Sequence, residues 1–294
     1  MSLNRPILKL RDWIDIGKLN WDFLSLNKNA INLLKMNKDK INWDNLCYND
    51  NAIELFEENP EKINWNNMSE NPNGIELLKK NPEKINWINL LSSKNGIELL
   101  KEYPEKINWD LLSSNENAIE ILKENQEKIN WNILSTNDNA IELLERNPEK
   151  INWEYLALNH NAIELLNEKP EKINWDFLSL NKNAIRILEK NQDKINWSYI
   201  SLNINAIHLI EDNLEKVNWD NLSYNEYAIN LLKENQEKIN WLNISKNISI
   251  FELDYEKMRD NNQEMYEELI KEVMKPLRVF KNQEYDYLEE LFGY

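Results

Sequence analysis

The chain is poor in the residues that most chemistry and many architectures need. It has one cysteine in 294 residues, Cys47, so no disulfide can form within it. Its two histidines, His160 and His208, cannot build a zinc site with that cysteine at any recognised spacing. Four glycines and eight prolines exclude collagen-like, linker-rich and Gly-rich β architectures. No apolar run reaches the roughly eighteen residues of a membrane span, and the opening Met1 to Trp13 lacks the apolar core and cleavage site of a signal peptide. Positive charge is also short: 35 Lys+Arg against 51 Asp+Glu leave −16, which repels nucleic-acid phosphates and anionic lipid. The expectation is a soluble intracellular protein, with no cofactor or metal and no direct contact with nucleic acid or membrane. There is no GxSxG, P-loop, HExxH or CxxC, and acidic pairs recur at helix starts, where capping and the helix dipole account for them. A non-catalytic role is expected.

What is abundant is tryptophan. Of twelve, eleven fall at Trp21, Trp43, Trp65, Trp87, Trp109, Trp131, Trp153, Trp175, Trp197, Trp219 and Trp241, each 22 residues from the last. Hydrophobic residues make up 41% of the chain, enough for a continuous core. In the unit running from Trp109 to Asn130, Ala118, Ile119, Ile121 and Leu122 share one side of an amphipathic helix of about eight residues. Asn117 with Glu120 has capping-box spacing, repeated by Asn51 with Glu54 and Asn139 with Glu142. Asn71-Pro72-Asn73 suggests instead a cap two residues earlier, and the spacing does not choose between them. The helix is expected to end at Asn-Pro or Asn-Gln, as at Asn147-Pro148.

A second, shorter helix is expected from each Trp. Asn108 can cap it, Asp110 favours its positive end, and Ile107 can meet Leu112 as a hydrophobic staple. A unit of two short helices cannot bury its apolar face alone, so stacking makes the fold: an all-α solenoid of about eleven repeats. A competing reading makes Lys-Ile-Asn-Trp a strand of a leucine-rich repeat, but the L-x-x-L-x-L framework is missing. The tryptophans themselves are expected as an internal core file, and the Lys two residues before each preceding Asn, such as Lys128 before Asn130, as a solvated charge paired with nearby Glu.

The expected organisation is an N-terminal cap over residues 1–20, repeats over 21–248 and a helical C-terminal cap over 249–294. Gly17-Lys18-Leu19-Asn20 imitates the Glu-Lys-Ile-Asn that precedes the other tryptophans. In the tail, Tyr266, Leu269, Ile270 and Val273 have helical spacing until Pro276, and Leu277, Phe280, Tyr287, Leu288, Leu291 and Phe292 could pack back on the last repeat. Such caps predict a monomer rather than an open polymer.

Within the units, the second and fifth residues after Trp vary most. Asn67/Glu70 and Leu111/Ser114 are mixed or polar, whereas Tyr155/Leu158, Phe177/Leu180 and Tyr199/Leu202 make an apolar row across three consecutive units. Either they pad an inter-repeat contact, or they form a protein-binding patch.

The units NxNAIELLKENPEKINWDxLS, the stretch Trp13-Ile14-Asp15-Ile16-Gly17-Lys18-Leu19-Asn20-Trp21, and the tail Ile250-Phe251-Glu252-Leu253-Asp254-Tyr255 with Lys275-Pro276-Leu277-Arg278 resemble tandem-repeat proteins of giant nucleocytoplasmic DNA viruses, of the mimivirus kind. The resemblance covers nearly the whole chain. Asn71-Pro72-Asn73 departs from the family's Asn-Pro-Asn-Ala-Ile by Gly74, and Lys275 stands where a histidine is frequent. It implies a viral protein of the host cytoplasm or the virion and carries no established activity with it. The expected function is a protein-interaction scaffold. The alternatives are a structural part of a virion or viral factory joined end to end, and an acidic decoy for basic DNA-binding proteins.

Overall fold

Each 22-residue unit starts from an asparagine. In the computed structural model, which describes residues 6–93 and 96–260, the Asn before each repeat Trp is extended and caps the helix that follows. Asn42 Oδ1 accepts from the Asn45 amide at 3.0 Å and Asn20 Oδ1 from that of Phe23 at 3.0 Å, satisfying a donor the helix leaves orphaned. The helices are short, as in Trp43–Leu46, Trp109–Ser114 and Trp153–Leu156. Four residues after Trp, a buried serine folds back on it: Ser25 Oγ donates to the Trp21 carbonyl at 2.8 Å.

The second helix is also brief, as in Ile119–Glu124, Ile141–Arg146 and Ile163–Glu168. Its cap is the earlier of the two candidate asparagines. Asn115 Oδ1 accepts from the Asn117 amide at 2.9 Å, and Asn71 Oδ1 from the Asn73 amide at 2.8 Å. Asn117 already lies inside the 3-10 turn Glu116–Ala118 that leads into the helix, so it cannot serve as the cap; Ala118, Ala140 and Ala52, immediately before their helices, offer none. The helix ends at the expected Asn, and a 3-10 turn such as Pro60–Lys62 or Pro148–Lys150 follows with Pro in its first position. The Ile-Asn step is then extended without forming a strand.

Units join through buried asparagines. Six residues after Trp, Asn49 Nδ2 donates to the carbonyls of Ser25 and Asn27 in the preceding unit, at 3.0 and 2.9 Å. Asn137, Asn159, Asn181, Asn203, Asn225 and Asn247 do the same with theirs. A primary amide has two donors, one for each carbonyl, which is why no other side chain of this size fits. Leucines such as Leu46, Leu112, Leu122 and Leu166 fill the core completely.

The tryptophans do not form the internal file expected of them. All eleven are half-buried, and over nine of the rings lies the lysine three residues before the next Trp, such as Lys40 over Trp21 and Lys128 over Trp109, both at 4.5 Å from the centroid. The cause is that the apolar residues three after Trp take the core, leaving the indole a free face that a lysine covers, or at Trp43 and Trp87 an aromatic ring meets, Phe56 and Tyr103. The lysine, exposed to solvent as expected, lies over an indole, and only Lys216 among these lysines also meets a glutamate, Glu215 at 3.9 Å, among the described residues.

The stack has no ends. Asn27 Nδ2 donates to the carbonyls of Ser245 and Asn247 at 3.1 and 3.0 Å, which are the last unit's equivalents of the pair that Asn49 holds. The Asn20 amide reaches Ser245 Oγ at 2.8 Å, as that of Asn42 reaches Ser25 Oγ, and Lys18 covers Trp241 at 4.9 Å. The Arg11 amide donates to the Ile250 carbonyl at 2.9 Å. Leu10–Phe251 is therefore an all-α solenoid closed into a ring of eleven units, each turned by about 33° from the last. This corrects the reading of open ends under separate caps: Ile16–Lys18 is the 3-10 turn of a regular joint, and its partner is the last repeat. Successive Trp helices approach more closely than successive second helices, which places the Trp helices on the concave side of the ring.

The chain on either side of the ring belongs to a second unit. The strands Leu8–Leu10 and Phe251–Leu253 form a two-stranded sheet, and the Asp254 amide donates to the Ile7 carbonyl at 2.8 Å. The expected tail helix at Tyr266, Leu269, Ile270 and Val273, and the apolar residues from Leu277 to Phe292, lie outside the described residues.

Candidate partner-binding surface

The second position after Trp has a visible structural task in five units. Asn45 Nδ2 donates to the carbonyl of Asp22 at 3.0 Å, Asn67 to Asp44 at 3.1 Å and Asn89 to Asn66 at 2.8 Å. On the far side of the ring Asn221 and Asn243 repeat this with Ser198 and Asp220, both at 2.9 Å. Between them five consecutive units carry Leu111, Ile133, Tyr155, Phe177 and Tyr199 instead, and the first unit carries Phe23; none of these has the side-chain amide that makes the clamp. The apolar residues therefore replace a clamp that a polar residue performs well elsewhere, at a position that joint packing does not require to be apolar.

The six residues singled out from sequence sit on the Trp-helix face. Tyr155 is 39% exposed, and Leu158, Phe177, Leu180, Tyr199 and Leu202 are half-buried. The structure brings the rings of Tyr155 and Phe177 together, centroids 6.1 Å apart and tilted by 34°. Leu180 lies within the helix Trp175–Leu180, whereas Leu158 and Leu202 lie just past the shorter helices Trp153–Leu156 and Trp197–Ile200. Leu111 and Ile133 extend the row by two units, also half-buried. A unit-by-unit comparison of the second position alone would have found them; pairing it with the polar Ser114 and Thr136 hid them.

Carboxylates flank the row one residue nearer each Trp. Asp110, Glu154 and Asp176 are exposed and each accepts from the capping asparagine of the next unit: Asn130 at 2.8 Å, Asn174 at 3.4 Å and Asn196 at 2.8 Å. One oxygen of each carboxylate is engaged, and the charge itself is uncompensated by these neutral amides.

Elsewhere, the reactive side chains are occupied. Cys47 stands where other units have the back-folded serine, and burial pushes its thiol up to about 11, away from the thiolate that nucleophilic chemistry needs. His160 Nδ1 lies 2.9 Å from Asp138 Oδ2, and His208 Nε2 lies 2.8 Å from Glu189 Oε1. Among the described residues no group of three His, Cys, Asp or Glu could hold a metal ion, and no helix is long and apolar enough to cross a membrane. No family model, curated protein or solved structure matches the chain.

Proposed function

We propose that the ring is a non-catalytic scaffold that binds a protein partner along the apolar row from Leu111 to Tyr199, with Tyr155, Leu158, Phe177, Leu180, Tyr199 and Leu202 at its centre. The observation that carries this is the exchange of a working asparagine clamp for partly exposed apolar and aromatic side chains in five adjoining units. Aromatic and aliphatic groups clustered beside carboxylates suit a segment that alternates apolar anchors with Lys or Arg. The same acidity, with the resemblance of the repeats to giant-virus proteins, supports the narrower reading of a viral decoy for basic proteins. End-to-end assembly has less in its favour, because the first and last repeats already hold each other.

The test uses the ring's own alternative residue. Tyr155→Asn, Phe177→Asn and Tyr199→Asn together should keep the fold, because asparagine is what other units carry there. Displayed random peptides selected on the natural ring should be rich in basic and apolar residues and bind this triple variant about a hundredfold more weakly, the loss of two hot-spot contacts. Equal binding by the folded variant, or no enrichment at all, overturns the proposal.

A further inference from the structure

The wedge-shaped gaps between successive second helices differ in the charges that line them. At three joints the gap is bridged by a Lys–Glu pair: Lys35 Nζ to Glu54 at 2.8 Å, Lys79 to Glu98 at 3.6 Å and Lys123 to Glu142 at 3.2 Å. Six units have glutamate at the second position of this helix: Glu54, Glu76, Glu98, Glu120, Glu142 and Glu164. In the next unit the position is Arg186, and across the gap from it, where the bridging lysine would stand, is Asn167. Between Ile163–Glu168 and Ile185–Lys190 the gap opens into a cleft of about 800 Å³. Arg186, Lys190 and Lys194 line it against the one carboxylate of Glu164. One joint earlier the positions of Asn167, Arg186 and Lys190 are Glu145, Glu164 and Glu168, so the reversal of charge is local on a chain of −16. The Trp175 indole, with Lys194 over it at 4.5 Å, adds a planar apolar wall.

We infer that this cleft is a binding site for a phosphate group carried on an apolar or planar body. The guanidinium of Arg186 meets no carboxylate within ion-pair distance among the described residues, and its fork matches a phosphate's oxygens bidentately, while Lys190 adds a point charge. The ligand's anion takes the place of the glutamate that bridges three of the other joints, and its body lies against the wall of Trp175. This site is separate from the apolar row, which lies on the Trp helices.

Phenyl phosphate, titrated into the full chain at low ionic strength and followed by calorimetry, tests it. Saturable binding below about 1 mM is expected, roughly tenfold tighter than inorganic phosphate. Arg186→Glu, which restores the residue of six other units, should retain the melting temperature and lose binding by about tenfold or more. Arg186→Gln serves the same comparison if the first variant does not fold. The inference is overturned if phenyl phosphate does not saturate, if it binds no better than inorganic phosphate, or if a folded Arg186 variant binds as the natural chain does.

Discussion

The most demanding single residue in the unit is the buried asparagine. Asn181 donates to Ala157 and Asn159 carbonyls of the neighbouring unit at 3.0 and 2.9 Å while its oxygen holds the Asn183 amide at 3.0 Å. Asn181→Ala leaves two buried carbonyls and one amide without partners, for an expected loss of about 3 kcal/mol in urea denaturation. Asn181→Asp should be at least as damaging at neutral pH, because a carboxylate turns acceptors toward acceptors. By contrast Lys150, 4.3 Å over Trp131, contributes a partly exposed cation–π contact, and Lys150→Met should cost only about 0.5–1 kcal/mol. Cys47, its thiol held neutral by burial, should stay unmodified by a thiol reagent at mildly alkaline pH until the protein unfolds.

At the scale of the element, one unit is a weak joint. In the repeat from Trp87, Ser93 replaces the two-carbonyl asparagine and Leu91 replaces the back-folded serine. A serine hydroxyl has one donor and cannot reach both the Ser69 and Asn71 carbonyls, and Leu91 cannot accept from the Asn108 amide as Ser113 does from that of Asn130 at 3.0 Å. Ser93→Asn should therefore stabilise the chain by about 1 kcal/mol, read as a higher denaturation midpoint with unchanged slope. Much of this level was legible from sequence. The Trp register, the cap at Asn108 and the Pro-Glu-Lys turns follow from local rules that neighbours do not override. The choice between Asn115 and Asn117 as cap was not legible, since both can accept from a nearby amide. What decides it is the preceding unit, whose carbonyls draw in Asn115 and leave its successor in the turn. The burial of Trp misled for a related reason: an invariant position says that a contact is required, not how much of the ring it covers.

For the whole molecule, closure was the hidden feature, because curvature is a sum of small rotations that no single residue announces. One clue was present. Gly17-Lys18-Leu19-Asn20 copies a joint sequence that would have no purpose ahead of the first repeat, and the structure shows that it completes the joint with the last. Deleting one whole unit, residues 131–152, asks ten units to close a circle built for eleven, so each turn must grow by about 3°. The seam is where that strain can be relieved, and small-angle scattering should report an opened, larger particle. An unchanged radius would show that the joints bend freely.

A linear row of repeats melts from its ends inward, since a terminal repeat has one neighbour where the others have two. Here Asn27 and Asn247 are as well partnered as any asparagine between them. Deuterium exchange should consequently be level around the circle, dipping in protection only near Ser93, so that unfolding begins inside the sequence rather than at its margins. A protease acting on native chain would then cut first near the middle of the third to fifth repeats, and the two fragments would stay together, each still held by the seam between the first repeat and the last.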